Sequence, residues 1–160
     1  MAKTRVGFGY DVHRLEDGLT MVVGGIKIPF HKGWVAHSDG DLLIHAVCDA
    51  LLGAANMRDI GFHFPDTSEE FAGVDSKELL AKTVGLIATK GYRVCNVDCT
   101  VALQSPKIKE LIPAMCRAMS EVMGVDDDCV SVKATTTERL GFEGRGEGAA
   151  AYAVALIEKD

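Results

Sequence analysis

Arg5-Val6-Gly7-Phe8-Gly9-Tyr10-Asp11-Val12-His13 alternates large and small side chains with a period of two, as a β-strand does. That period places the Asp11 and His13 side chains on the same face. Downstream, Ser38-Asp39-Gly40-Asp41 precedes Leu42-Leu43-Ile44 in the S-x-x-D form of a helix start, which predicts His45 on the second turn of the next helix. One carboxylate and two imidazoles form a borderline-hard donor set that suits zinc. Three protein ligands leave a fourth tetrahedral position for water or substrate, the arrangement of a catalytic metal.

Each piece of this constellation has a plainer explanation. An Asp-x-His triplet arises by chance, and a single helix histidine is commonly a structural residue. Asp41, His45 and Asp49 recur at i, i+4 and i+8, opposite a face of Leu42, Leu43, Ala46, Val47, Ala50 and Leu51. This stripe reads either as a metal ligand flanked by a carboxylate that orients it or as an ordinary solvated polar face.

Length and charge narrow the class. The 160 residues fit one domain, spanning 1–160, with a sizeable core, and no linker-like composition break divides them. A net charge of −6 without a Lys/Arg block argues against nucleic acid as a partner. No apolar run approaches membrane-spanning length, and Met1-Ala2-Lys3-Thr4-Arg5 leads straight into the strand instead of a signal-peptide core, so the expected location is cytoplasmic. Cys48, Cys95, Cys99, Cys116 and Cys129 are odd in number and lack a C-x-x-C pair. They are read as reduced, packed thiols.

Along the chain the pattern predicts strand, hairpin, helix, loop, helix, strand, helix, strand, strand. The hairpin is Met21–Val23 and Ile26–Ile28 around Gly24-Gly25, placed at a sheet edge. Asp59 to Ser68 is rich in turn formers and reads as a mobile loop. A helix is expected from Ser76 to about Lys90, stopped by Gly91, and a strand from Tyr92 to Gln104. Ser105-Pro106-Lys107 opens a helical region that Pro113 interrupts, Pro113 suiting the first turn of a segment ending near Gly124. Val130–Lys133 and Ala149–Ile157 complete the strands. Without regular βαβ alternation, these elements indicate α+β, a mixed β-sheet with helices mainly on one face.

A second constellation, Lys133-Ala134-Thr135-Thr136-Thr137-Glu138, leaves a strand with consecutive hydroxyls and a carboxylate. Such a turn suits phosphate oxygens and Mg²⁺ or Mn²⁺ bridging them, although a run of threonines is also ordinary strand sequence. Gly144 and Gly146 around Arg145 read as backbone held close to a neighbour, such as another subunit.

Taken in order, Gly9-Tyr10-Asp11-Val12-His13, Ala36-His37-Ser38-Asp39-Gly40-Asp41 with His45, Asp59-Ile60-Gly61, Phe64-Pro65-Asp66, Pro106-Lys107, Lys133 to Glu138, and Gly141-Phe142 with Gly144 to Gly148 span nearly the whole chain. In these segments the sequence resembles the 2-C-methyl-D-erythritol 2,4-cyclodiphosphate synthase family of the non-mevalonate isoprenoid pathway. The resemblance implies a homotrimer of α+β subunits with active sites between subunits, and zinc on Asp11, His13 and His45. The implied reaction cyclises a small cytidine-diphosphate substrate, 4-diphosphocytidyl-2-C-methyl-D-erythritol 2-phosphate, with release of CMP. His37 and Thr136 are the implied catalytic residues, assisted by Ser38, and Asp11 and His13 also meet the substrate.

By the same resemblance Asp59, Ile60, Gly61, Phe64, Pro65, Asp66, Thr67 and Ser68 surround the methylerythritol part. Leu103, Gln104, Ser105, Pro106, Lys107, Ile108 and Lys109 line the cytidine pocket with Thr135, Thr136, Thr137 and Glu138, and Glu138 holds Mg²⁺ or Mn²⁺. Phe142 and Arg145 match positions near the substrate and the trimer axis. His31, Trp34 and His63 match no position of the family site and are read as structural. A zinc phosphohydrolase that activates water at the open metal position, and a binding protein braced by its metal, are the competing readings.

Overall fold

The computed structural model describes residues 3–160; Met1 and Ala2, which begin the segment expected to lead into the first strand, lie outside the described residues. The elements run β1 (Thr4–Asp17), β2 (Met21–Val23), β3 (Ile26–Ile28), β4 (Lys32–Val35), α1 (Leu42–Ala54), α2 (Ile60–His63), α3 (Ser76–Thr89), β5 (Arg93–Ala102), α4 (Ile112–Met123), β6 (Val130–Thr135), α5 (Gly141–Gly144) and β7 (Gly148–Glu158). Five strands form one sheet in the order β4-β1-β7-β5-β6. Among the described residues only β5 and β6 are parallel, joined across α4, so the sheet is mixed as expected.

Alternation along β1 and β7 decides which face carries the helices. Gly7 and Gly9 face inward on β1, opposite Ala155 and Ala153 of β7, while Asp11 and His13 lie opposite Ala151 and Ala149. These small side chains let α1 settle unusually close to the sheet. A Cβ on Gly9 would overlap the Ala46 carbonyl oxygen and lie 2.8 Å from the Ala50 nitrogen, and one on Gly7 would overlap the Ala50 oxygen. α1 packs on β1 and β7, α3 beside α1, and α4 against α3 and β6, all sharing one buried cluster. In α1 every residue except Asp49 and Gly53 is buried, and a fully buried Leu or Ile contributes about 1.5–3 kcal/mol.

Among the described residues, α1, α3 and α4 all leave the opposite sheet face uncovered. There Val6, Phe8, Tyr10 and Val12 of β1 lie beside Tyr152, Val154 and Leu156 of β7, all exposed, with Phe8 at 62%. The Tyr10 and Tyr152 rings meet at a tilt of 55° with centroids 5.3 Å apart. A contiguous apolar face of this kind marks an interaction surface.

Several sequence expectations need correction. The hairpin lies at a sheet edge as expected, but as its own two-stranded sheet; the Trp34 indole N–H donates to the Val22 carbonyl at 2.9 Å and ties it to the edge strand β4. β4 itself, only four residues long, falls below the length at which alternation is readable. The Asp59–Ser68 loop contains α2, because Asp59 caps it by accepting the Phe62 N–H at 3.0 Å. α3 and α4 lie close to their expected bounds, α4 carrying Pro113 in its first turn and ending on Gly124 at φ 70°.

Candidate metal centre and its two clefts

β1 and α1 meet at the metal-type triad. Asp41, not Ser38, is the N-cap of α1, its Oδ1 accepting the Ile44 N–H at 3.1 Å, so His45 falls on the first turn and not the second. Because Gly9 brings α1 close to β1 at Ala46, next to His45, the His45 ring reaches Asp11 and His13. Asp11 Oδ2 lies 3.0 Å from His13 Nε2 and 3.1 Å from His45 Nδ1, and the two nitrogens are 3.4 Å apart.

This triangle fits a metal. Donors at about 2.0–2.1 Å from a tetrahedral zinc are separated by about 3.3–3.4 Å, close to the observed edges. The donor set of one carboxylate and two imidazoles agrees with that ion as well. Burial alone would raise the Asp11 carboxyl, but its hydrogen bonds to His13 and His45 and their charges outweigh it and hold it down to about 2. Burial works to lower the His45 imidazole, and the hydrogen bond and charge of Asp11, with Asp41 and Asp39 behind, turn the balance upward. Asp11 is therefore a carboxylate at neutral pH, as a metal ligand must be.

The i, i+4, i+8 stripe is not a solvated face. Asp41 is fully buried, and its carboxylate accepts the N–H groups of Gly24 and Gly25 at 2.9 and 2.6 Å, locking the hairpin turn to α1. Burial pushes its carboxyl up to about 6 despite those donors. Asp49 accepts the Ile60 N–H at 2.8 Å and anchors α2. Neither carboxylate orients His45. The side chain nearest its Nε2 is Ser76, the buried first residue of α3, whose Oγ lies 2.9 Å away. Behind it stands Asp39, which accepts both the hydroxyl and the N–H of Ser76. A serine at a helix start reads as a solvated cap in sequence, and its complete burial is visible only in the fold.

The triad opens into a cleft of about 410 Å³ lined by His37, Ser38, Ile60, Gly61, Phe64 and Asp66, and also by Val35, Ala36, Phe71 and Leu79, which were not among the expected site residues. His37 Nε2 is 3.0 Å from the Ser68 carbonyl; a carbonyl only accepts, so Nε2 carries the proton. Asp59 caps α2 instead of lining the cleft, and Pro65, Thr67 and Ser68 also lie outside its lining.

A second cleft of about 240 Å³ is lined by Leu103, Gln104, Pro106, Lys107, Ile108 and Lys109 with Ala134, Thr135 and Thr136. Glu138 and Arg139 stand beside it at φ 55° and 64°, a left-handed conformation uncommon for such residues. Two contacts hold that turn: the Glu138 N–H donates to Thr136 Oγ1 at 3.2 Å, and the Arg139 N–H to Gln104 Oε1 at 3.2 Å. Thr137 Oγ1 closes it by donating to the Leu140 carbonyl at 2.6 Å. Ser105 and Arg145 line a third, neighbouring cleft, and Phe142 lies in α5 outside all three.

Gly144 is held close to its own chain, since a Cβ there would overlap the Arg139 backbone. A Cβ on Gly146 would meet nothing within 4 Å, so this glycine serves instead through its φ of 69°. Arg145 donates to Glu147 at 2.8 Å.

The first two clefts share no residue. Register pairs Thr135 with Ala102, Ala102 with Ala150 and Ala150 with Val12. Three inter-strand spacings, about 14 Å, therefore separate the threonine turn from the triad within one chain.

Residues 4–158 match the YgbB family. A protein of Bacteroides thetaiotaomicron named 2-C-methyl-D-erythritol 2,4-cyclodiphosphate synthase is 61% identical over 158 residues, which are 99% of each chain. Among solved structures, a Plasmodium falciparum IspF in complex with CDP superposes with a TM-score of 0.86 at 32% identity, covering 100% of this chain and 99% of that one. The bifunctional IspDF of Campylobacter jejuni superposes with a TM-score of 0.96 at 38% identity over all of this chain, which spans only 43% of that protein.

Proposed function

The chain belongs to the YgbB family, and from that premise we propose a reading of its site in which zinc held by Asp11, His13 and His45 serves formation of a cyclic diphosphate. The enzyme converts 4-diphosphocytidyl-2-C-methyl-D-erythritol 2-phosphate to 2-C-methyl-D-erythritol 2,4-cyclodiphosphate and CMP, a lyase reaction of isoprenoid biosynthesis. The observation that carries the reading of the site is the triangle of donor atoms with edges of 3.0, 3.1 and 3.4 Å at the floor of a cleft.

The chemistry asks for positioning more than for a strong base. The attacking 2-phosphate is already an anion at neutral pH. Its oxygen bonds to the β-phosphorus while the bond from that phosphorus to the CMP oxygen breaks, and the electron pair leaves with CMP. Zinc held by Asp11, His13 and His45 would supply Lewis-acid neutralisation of phosphate charge, and Mg²⁺ or Mn²⁺ held by Glu138 would add charge neutralisation of the same kind.

The chain's own residues hold the reacting groups in line. His37 and Thr136 orient phosphate oxygens, the former with its ring fixed by Ser68, and Ser38 assists. Ile60, Gly61, Phe64 and Asp66 enclose the methylerythritol part, with Asp66 a hydroxyl partner, and Asp59, Pro65, Thr67 and Ser68 hold that segment in place around it. Leu103 to Lys109 and Thr135 to Glu138 take the cytidine, and Phe142 and Arg145 border the substrate and the three-fold axis. The carboxylate of Glu138 has no ion-pair partner among the described residues, which suits a cation ligand.

One substrate must meet both clefts, and their separation within a chain supports a site completed by a second subunit. The exposed apolar sheet face supports the homotrimer that does so, and free thiols support a cytoplasmic setting. No helix among the described residues is long and apolar enough to cross a membrane.

Incubating the purified protein with the substrate, Zn²⁺ and Mg²⁺ is expected to yield equal amounts of CMP and cyclic diphosphate by mass analysis. Release of inorganic phosphate would instead support a zinc phosphohydrolase. For the assembly, Phe8→Glu places a charge on the apolar face of β1, and sedimentation is expected to show dissociation to monomers with loss of turnover. A fully active Phe8→Glu monomer would remove the shared-site reading.

A further inference from the structure

The hydrogen bonds behind His45 determine its tautomer. Asp39 is acceptor-only as a carboxylate, and it takes the Ser76 hydroxyl proton together with the N–H groups of Ser76 at 2.9 Å and Asp41 at 3.0 Å. With its single proton committed to Asp39, the Ser76 oxygen presents only lone pairs to His45 Nε2, 2.9 Å away. His45 Nε2 must then be the donor. In the neutral ring Nδ1 is left bare, facing the Asp11 carboxylate at 3.1 Å and His13 Nε2 at 3.4 Å. A lone pair aimed at a carboxylate is repulsive unless a cation lies between them.

We propose that Ser76 is a positioning residue, linking Asp39 to His45 so that the imidazole is held with Nε2 protonated and Nδ1 free for the metal. Geometry favours Ser76 over Ser38, whose Oγ stands 3.3 Å from the same nitrogen and is also the acceptor for the Gly40 N–H. Ser76 and Asp39 lie outside the cleft lining, so they act through His45 and not on substrate. Their geometry joins three elements at one ring: β1 supplies the co-ligands, α1 the ring, and the start of α3 the constraint. A hydrogen-bonded partner on the distal nitrogen fixes ring orientation and raises ligand basicity, and losing such a partner weakens metal binding about 10–100-fold.

This inference rests on the metal reading of the triad, and its test separates the two. In the metal-free protein labelled with ¹⁵N-histidine, NMR in alkaline buffer where the ring is neutral is expected to show His45 as the Nε2–H tautomer. In Ser76→Ala the ring is expected to become a mixture, with Nδ1–H donating to Asp11. Competition with a chromophoric chelator is expected to show zinc held about 10–100-fold more weakly in Ser76→Ala. Ser76→Thr keeps the hydroxyl and is expected to recover most of both effects.

An Nδ1–H tautomer in the unsubstituted protein overturns the proposal without any variant, so a Ser76→Ala chain that fails to fold does not shelter it. Unchanged zinc affinity in a folded Ser76→Ala overturns it too, as does a loss produced by Ser38→Ala and not by Ser76→Ala. A protein with the expected tautomer that binds no zinc would overturn the metal reading and leave the Asp39–Ser76–His45 linkage standing.

Discussion

Replacing His45 by alanine is expected to leave a folded chain that loses most of its zinc and slows cyclisation by about a thousandfold or more. The estimate follows from the charge neutralisation a bound metal supplies, several kcal/mol, with each 1.36 kcal/mol worth a factor of ten in rate. Folding survives because α1 is held mainly by its other buried side chains, Leu42, Leu43, Ala46, Val47, Ala50 and Leu51. The Ser76 hydroxyl loses its imidazole partner, at a cost of about 1–3 kcal/mol in stability. Metal analysis, circular dichroism and CMP release on the same preparation check the three parts. Wild-type zinc content with wild-type turnover would remove His45 from the ligand set.

Gly9→Ala is expected to do comparable damage from outside the triad. The added Cβ overlaps the Ala46 carbonyl oxygen, a backbone atom that a rotamer change cannot move, so α1 must lift from β1 or shift along it. Overpacking of this kind costs about 1–3 kcal/mol. For a chain of this size that corresponds to a fall in Tm of about 2–12 °C. The same displacement withdraws His45 from Asp11 and His13, and zinc affinity is expected to fall with it.

Gly53→Ala is the control, since a Cβ there meets nothing within 4 Å. Within α1 alanine is favoured over glycine by up to about 1 kcal/mol, so that variant is expected to melt at or above the wild-type temperature. A Gly9→Ala protein as stable and as zinc-avid as wild type would show that the close seating of α1 is not what builds the site.

The candidate ligands were legible because each rests on local periodicity. Asp11 and His13 share a face by the period of two, and Leu42 to Leu51 announce a helix whether or not its partner strand is known. The roles of the carboxylates along that helix were not legible. Asp41, Asp49 and Asp39 are alike in sequence, yet one holds the hairpin turn, one anchors α2 and one reaches Ser76, which is 37 positions away. Similarly, Gly144 next to Arg145 suggested a neighbouring subunit, whereas its close contact is with Arg139 of the same chain.

What the residues alone determined is therefore the α+β class, most element boundaries and the candidates for the triad, since capping, turn chemistry and alternation act over a few residues. Tertiary structure decided how near α1 lies to β1, the burial of Ser76 and the separation of the two clefts. Those depend on which side chains meet after the strands have taken their order β4-β1-β7-β5-β6. Distances across a sheet and between layers are set by packing partners far apart in the chain, and no local pattern encodes them.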